Sequence, residues 1–117
     1  MRICIGIITR NRPQMLRELL ESFAEMYLPE ETAIDYAIVE NANSKSLGRI
    51  IAAALPTANV YYENETQRGI PFARNRVVEI SLRNGYDLTA FVDDDEKVDP
   101  HWLEQIVLEL QTRDLDL

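Results

Sequence analysis

Four acidic residues follow one another directly after a short apolar run, in the segment Phe91-Val92-Asp93-Asp94-Asp95-Glu96. An apolar run with β-branched and aromatic residues is typical of a buried strand, so these carboxylates are expected to emerge together where that strand leaves its sheet. Carboxylates crowded in this way repel one another unless they spread into water or a cation neutralises them. Because Mg²⁺ and Mn²⁺ prefer oxygen ligands, the segment predicts either a divalent metal site or a solvated acidic cluster.

The acidic segment ends the last of four apolar strands, which alternate with four helical patterns in the order βαβαβαβα. The strands are expected at residues 2–8, 36–39, 60–62 and 88–92. The helices are expected to begin near Pro13, Ser44, Pro71 and Asp99. Proline suits the first turn of a helix, and Asp99 is a candidate N-cap. The third helix is expected to end at Asn84-Gly85, where glycine accepts a left-handed conformation.

Strands that alternate with helices predict a parallel sheet with right-handed crossovers and helices on both faces. Ligands of such sheets bind at the carboxyl ends of the strands. Polar residues follow each predicted strand, at residues 9–12, 40–43, 63–69 and 93–96. Polarity is ordinary in loops, but arginines and amides beside a carboxylate triplet would suit a ligand that is both anionic and metal-bound.

Composition and charge narrow the function classes. The 117 residues suffice for one domain with a core, and 20 acidic against 12 basic residues give a formal charge of −8, which argues against a nucleic-acid partner. The single cysteine, Cys4, excludes an internal disulfide and favours a reducing compartment, with the cytoplasm as the expected location. The first apolar run is too short for a membrane span, so we expect no membrane segment in this chain.

Three stretches occur in a fixed order that resembles the amino-terminal half of a family 2 glycosyltransferase with the GT-A fold. They are Ile7-Ile8-Thr9-Arg10-Asn11-Arg12-Pro13, Gln67-Arg68-Gly69-Ile70-Pro71-Phe72-Ala73-Arg74-Asn75, and Phe91-Val92-Asp93-Asp94-Asp95. The resemblance implies a three-layer αβα, Rossmann-like half-domain with strand order 3-2-1-4. It also implies that residues 1–117 form the donor half of the catalytic domain, truncated before the acceptor-binding half.

The resemblance further implies a nucleoside diphosphate-sugar as donor, with a UDP-sugar favoured, and Mn²⁺ or Mg²⁺ as cofactor. Glu40 stands where the family usually has an aspartate that accepts a hydrogen bond from the pyrimidine ring. The remaining residues assigned to the nucleotide sugar are Thr9, Arg10, Asn11, Arg12, Arg68, Gly69, Arg74, Asn75, Asp93 and Asp94. Extended geometry sends alternate side chains to one side, so Asp93 and Asp95 are expected to converge, with Asp95 on the metal and Asp93 on the ribose or the metal. Asp94 replaces one of them if the strand ends a residue early.

No catalytic residue is assigned within the chain. By family pattern the carboxylate base of inverting members lies well beyond the fourth strand, so we expect it after Leu117 and expect the fragment not to transfer sugar by itself. In this pattern the fourth strand also has an open edge, which predicts self-association.

Other interpretations of the acidic segment fit less well. A calcium-binding EF-hand loop is disfavoured because Lys97 stands where a ligand is needed and Val98 where glycine makes the turn. By family resemblance, an aspartate-nucleophile site would have its key acids after the first strand or across two strands, whereas the first strand here ends in Thr9-Arg10. His101 has no second histidine to pair with on a metal and is expected to be exposed. A non-catalytic α/β module that binds a nucleotide, a metal or a partner remains the alternative function.

Overall fold

Strands and helices alternate along residues 1–112, the part of the chain that this computed structural model describes. The strands are β1 (Arg2–Thr9), β2 (Ala33–Glu40), β3 (Val60–Asn64) and β4 (Leu88–Asp93). The helices are α1 (Pro13–Ser22), α2 (Gly48–Ala54), α3 (Ile70–Arg83) and α4 (Trp102–Thr112), and a short 3₁₀ turn, Phe23–Glu25, follows α1. The predicted βαβαβαβα order is confirmed.

The four strands form one sheet in the order β3-β2-β1-β4, with every neighbouring pair parallel. The register places Thr9 opposite Glu40 and Ile8 opposite Asp93, while Glu40 lies opposite Asn64. The carboxyl ends of all four strands therefore meet at one edge of the sheet. Both the predicted strand order and the predicted convergence of the strand ends are confirmed.

Helices cover both faces of the sheet, which confirms the three-layer arrangement. On one face α1, α2 and α4 pack over the β1 side chains Ile3, Ile5 and Ile7. On the other face α3 packs over Cys4 and the β2 residues Ala37 and Val39. The two sets alternate along β1 because successive side chains of a strand point to opposite faces.

The approach of α3 to the sheet depends on Gly6 in β1. A Cβ atom added to Gly6 would lie 2.5 Å from Cγ1 of Val77 in α3, well inside van der Waals contact. Only a residue without a side chain therefore lets α3 pack at its observed distance from the sheet.

Two helices begin later than the sequence predicts. Ser46 donates hydrogen bonds to the Glu40 carboxylate, so the segment from Ser44 stays in a loop and α2 begins at Gly48. The Asp99 carboxylate accepts a hydrogen bond from the His101 N–H at 2.8 Å, which forms a turn, and α4 begins at Trp102. No helix within residues 1–112 has the length and apolar character needed to cross a membrane.

Candidate functional site

A cavity of about 620 Å³ opens at the carboxyl edge of the sheet. Its walls come from the end of β1 and the turn after it, from the residue after β2, from the start of α3 and from the end of β4. The lining residues are Ile8, Thr9, Arg10, Asn11, Arg12, Asn41, Gly69, Ile70, Arg74, Phe91, Val92, Asp93, Asp94 and Asp95. We call this cavity the cleft. It brings together most of the residues that the sequence singled out, from three separate segments.

Asp94 joins two walls of the cleft. Its side chain is buried, and its Oδ2 accepts a hydrogen bond from Thr9 Oγ1 at 3.0 Å. Its Oδ1 accepts a hydrogen bond from Arg12 at 3.2 Å, and this contact is also an ion pair. Asp94 is therefore committed to holding β4 against the end of β1, with Thr9 almost fully buried beside it.

Asp93 and Asp95 also line the cleft but differ from Asp94 because both are exposed. Within residues 1–112 no group of three or more histidine, cysteine, aspartate or glutamate residues is arranged to hold a metal ion. Two exposed carboxylates are nevertheless a donor set that suits Mg²⁺, which proteins commonly hold by one or two carboxylates together with water and phosphate oxygens. The residues present thus fit a hard divalent cation that shares its coordination with a ligand.

Three guanidinium groups face the cleft and supply positive charge in an otherwise acidic chain. Arg74 lies in the first turns of α3, with its guanidinium carbon 4.0 Å from the centroid of the Phe91 ring. Stacking on an aromatic face fixes the plane of a guanidinium while leaving its N–H donors free to bind an anion. Arg10 and Arg12 project from the turn after β1 and are exposed.

Glu40, next to Asn41, is not among the residues that line the cleft. The side chain is 4% exposed. Its Oε1 accepts hydrogen bonds from the Ser46 N–H and the Tyr62 hydroxyl, and its Oε2 accepts one from the Ser46 hydroxyl. Both oxygens are therefore engaged inside the protein, and the assignment of this carboxylate to the base of a nucleotide stays a prediction.

The same contacts shift two pKa values. Burial alone would raise the pKa of Glu40, but the hydrogen bonds from Ser46 and Tyr62 outweigh it and lower this pKa below its usual value. Burial and the hydrogen bond to Glu40 raise the pKa of Tyr62 to about 12. The pair therefore stays as carboxylate and neutral phenol at neutral pH.

Two further predicted residues, Arg68 and Asn75, lie outside the cleft lining and are exposed. Asn75 follows Arg74 in α3, and one residue of an α-helix turns the side chain by about 100°. Since Arg74 faces the cleft, its neighbour points elsewhere. Arg68 precedes Gly69, which itself lines the cleft.

Sequence reasoning did not assign Asn41, although it lines the cleft and its side chain makes three hydrogen bonds. The signal available in the sequence was its position directly after a predicted strand. Reasoning from charged and polar groups also missed the apolar walls, Ile70 and Phe91.

Comparison with known proteins gives concordant matches. The model of the family described as glycosyl transferase family 2 matches residues 4–117. The succinoglycan biosynthesis protein ExoM of Rhizobium meliloti (strain 1021) is 30% identical over 109 residues, which are 92% of this chain and 34% of ExoM. The chain therefore spans about a third of the length of this relative.

Solved structures match at the level of the fold. S. aureus TarS residues 1–349 superposes with a TM-score of 0.77 at 18% identity, covering 96% of this chain and 33% of that one. A complex of the same TarS segment with UDP-GlcNAc matches with a TM-score of 0.75 at 17% identity, covering 96% and 32%. The mannosyltransferase PcManGT from Pyrobaculum calidifontis, solved with GDP-Man and Mn²⁺, matches with a TM-score of 0.72 at 18% identity, covering 92% and 32%.

Proposed function

Because the chain belongs to glycosyl transferase family 2 and has the GT-A fold, as predicted, we propose that its cleft binds the nucleoside diphosphate part of a sugar donor. The sugar would pass from this donor to an acceptor hydroxyl. One observation carries the proposal: the ends of β1 and β4 and the start of α3 converge on a single cavity that presents three arginines and two free carboxylates.

The arginines match the charge of a diphosphate. A guanidinium binds phosphate oxygens through paired N–H donors and keeps its charge at all accessible pH values. Arg74 is the best placed, because its stacking on Phe91 holds it against the cleft wall. The turn Thr9 to Arg12 is the wall that we assign to the nucleoside, where Arg10 and Asn11 are exposed to a ligand.

We assign Asp95 and Asp93 to a divalent cation, Mn²⁺ or Mg²⁺. When bound, the cation would supply positive charge against the two donor phosphates. The support is the chemistry of two exposed carboxylates beside the arginines, together with the presence of Mn²⁺ and GDP-Man in the PcManGT structure. A UDP-sugar is the first donor to test because the TarS segment was solved with UDP-GlcNAc.

The chain supplies the donor side of the reaction, and we assign no catalytic base within residues 1–112. The acids lining the cleft are Asp93, Asp94 and Asp95. Asp94 is internally bonded, and the other two are assigned to the cation. We therefore propose that the isolated 117 residues bind a donor without transferring its sugar. The buried thiol of Cys4 is compatible with the reducing cytoplasm that we propose as its location.

Isothermal titration of the 117-residue chain with UDP, in Mn²⁺ and in EDTA, tests the proposal. We expect binding in Mn²⁺, a large loss in EDTA, and a similar loss in Asp95→Asn. Glu79→Gln is the matched control, since it also removes one negative charge but lies on the exposed surface of α3, outside the cleft lining. Equal binding with and without metal would refute the metal assignment. Failure to bind either UDP or GDP would favour the alternative, a non-catalytic interaction module.

A further inference from the structure

Asn41 follows β2 and is buried beside the cleft. Its Nδ2 donates hydrogen bonds to the carbonyl oxygens of Glu65 and Gln67, at 2.9 and 2.8 Å. Its Oδ1 accepts a hydrogen bond from the Gly69 N–H at 3.0 Å, and its backbone N–H donates to the Thr9 carbonyl at 2.9 Å. One residue thus joins the end of β1 to the segment that leads from β3 into α3.

The chemistry of these contacts requires a primary amide. Two carbonyl oxygens need two N–H donors, and the Gly69 N–H needs an oxygen acceptor. Asparagine and glutamine carry both groups, whereas aspartate has no donor when ionised and an apolar residue has neither group. The shorter asparagine reaches all three backbone groups from its place directly after β2.

The segment held by Asn41 shapes one wall of the cleft. Gly69 lines the cleft and has a φ of 128°, a conformation that glycine adopts readily and residues with a side chain rarely adopt. Its carbonyl accepts hydrogen bonds from the N–H groups of Phe72 and Ala73, so it sets where α3 begins. Arg74 lies one turn further along the same helix and faces the cleft.

We propose that Asn41 is a positioning residue for the donor: through Gly69 it holds the start of α3 and Arg74 at the distance from β1 that the diphosphate requires. This inference rests on the proposed function and adds to it a residue that acts on affinity without itself providing charge. Asn41 lies between the two walls that the donor must contact together, the end of β1 and the start of α3. Replacing it should therefore lower the affinity for the donor and loosen the backbone of the segment that it holds.

The test combines nucleotide titration with amide hydrogen exchange on the 117-residue chain. Asn41→Ala is expected to weaken UDP binding in Mn²⁺ on the order of tenfold or more, because the Gly69 N–H and two carbonyls lose their partners. The Gly69 amide should lose its protection from exchange in the same variant. Gly69→Ala disturbs the same segment with Asn41 intact, and should also weaken binding. The two substitutions together should cost less than the sum of their separate effects.

Asn84→Ala is the matched control, because Asn84 Nδ2 donates a hydrogen bond to the Ile80 carbonyl at the opposite end of α3. It should lower the melting temperature while leaving UDP affinity unchanged. Wild-type affinity in Asn41→Ala, or equal weakening in Asn84→Ala, would overturn the inference while leaving the proposed function intact. If Asn41→Ala does not fold, unchanged UDP affinity in Gly69→Ala overturns it instead. Absence of UDP binding by the wild-type chain would instead overturn the proposed function, and the inference with it.

Discussion

Removing the central aspartate of the triplet should destabilise the fold, whereas removing either outer one should not. Asp94 is buried and bonded to Thr9 and Arg12, whereas Asp93 and Asp95 are exposed. Three adjacent residues of one type therefore have different roles. Replacing each by alanine separates the contribution to folding from the contribution to ligand binding.

The magnitude follows from the two partners of Asp94. Asp94→Ala leaves the hydroxyl of Thr9, a residue that is 1% exposed, without its acceptor, which costs about 1–3 kcal/mol. The side chain of Arg12 is 52% exposed, so solvent screens its ion pair with Asp94 and its loss costs at most about 1 kcal/mol. We expect a total loss of about 2 kcal/mol, or roughly 8 °C in melting temperature for a domain of this size. Asp94→Asn keeps an acceptor oxygen for Thr9 and should cost about half as much.

Urea denaturation of the wild-type chain and the three alanine variants measures this difference. Asp93→Ala and Asp95→Ala should change the free energy of unfolding by less than about 0.5 kcal/mol, as is usual for exposed residues. In titrations with UDP and Mn²⁺ the two outer variants should lose affinity. Equal destabilisation by all three variants would refute the division of roles within the triplet.

Three further predictions concern the sheet, the Glu40 contacts and the edge of β4. Gly6→Ala should destabilise the chain by about 1–3 kcal/mol in thermal unfolding, because the added Cβ would lie 2.5 Å from Val77. Adding Val77→Ala to this variant should recover part of the lost stability. Because folding lowers the pKa of Glu40, its charged form stabilises the fold at pH values above the pKa of about 4.3 that a glutamate has in the unfolded chain. This contribution is lost as the pH falls through the lower pKa of the folded state. The wild-type advantage over Glu40→Gln, on the order of 1 kcal/mol at pH 7, should therefore shrink below about pH 4 in unfolding experiments; a constant difference would contradict the role of the charge. In residues 1–112 β4 pairs with β1 and with no other strand, so we expect self-association through its open edge, and light scattering that shows a monomer at high concentration would exclude it.

The fold was predictable because its signals are local and periodic. The four strands are marked by short apolar runs, and the helices by apolar residues that recur with the helical period. Strands that alternate with helices leave few alternatives to a parallel sheet. The start of α2 was predicted wrongly because a side chain from outside the helix decides the local backbone. Ser46 donates hydrogen bonds to Glu40 and so stays outside the helix, and the sequence pattern around Ser44 does not indicate this contact.

The candidate site was predictable in its location and only partly in its members. The strand ends mark the edge where ligands bind, and the charged residues there were visible in the sequence. What each side chain contacts was not visible. Glu40 and Asn41 are adjacent polar residues after the same strand, yet the first is directed to Ser46 and Tyr62 while the second lines the cleft. Successive side chains along a strand point to opposite faces of the sheet, which separates the two, and composition does not record which face the cleft is on.

The buried polar contacts around the cleft have a common consequence for binding. Asp94 joins β4 to β1, Asn41 joins β1 and β2 to the start of α3, and Glu40 fixes the loop after β2. Each satisfies polar groups at a strand end that burial would otherwise leave without partners. The cleft thus has its shape before any ligand arrives, which reduces the entropy cost of ordering it on binding. The groups left exposed, chiefly Arg10, Arg74 and the two outer aspartates, are then those whose charges a ligand could still neutralise.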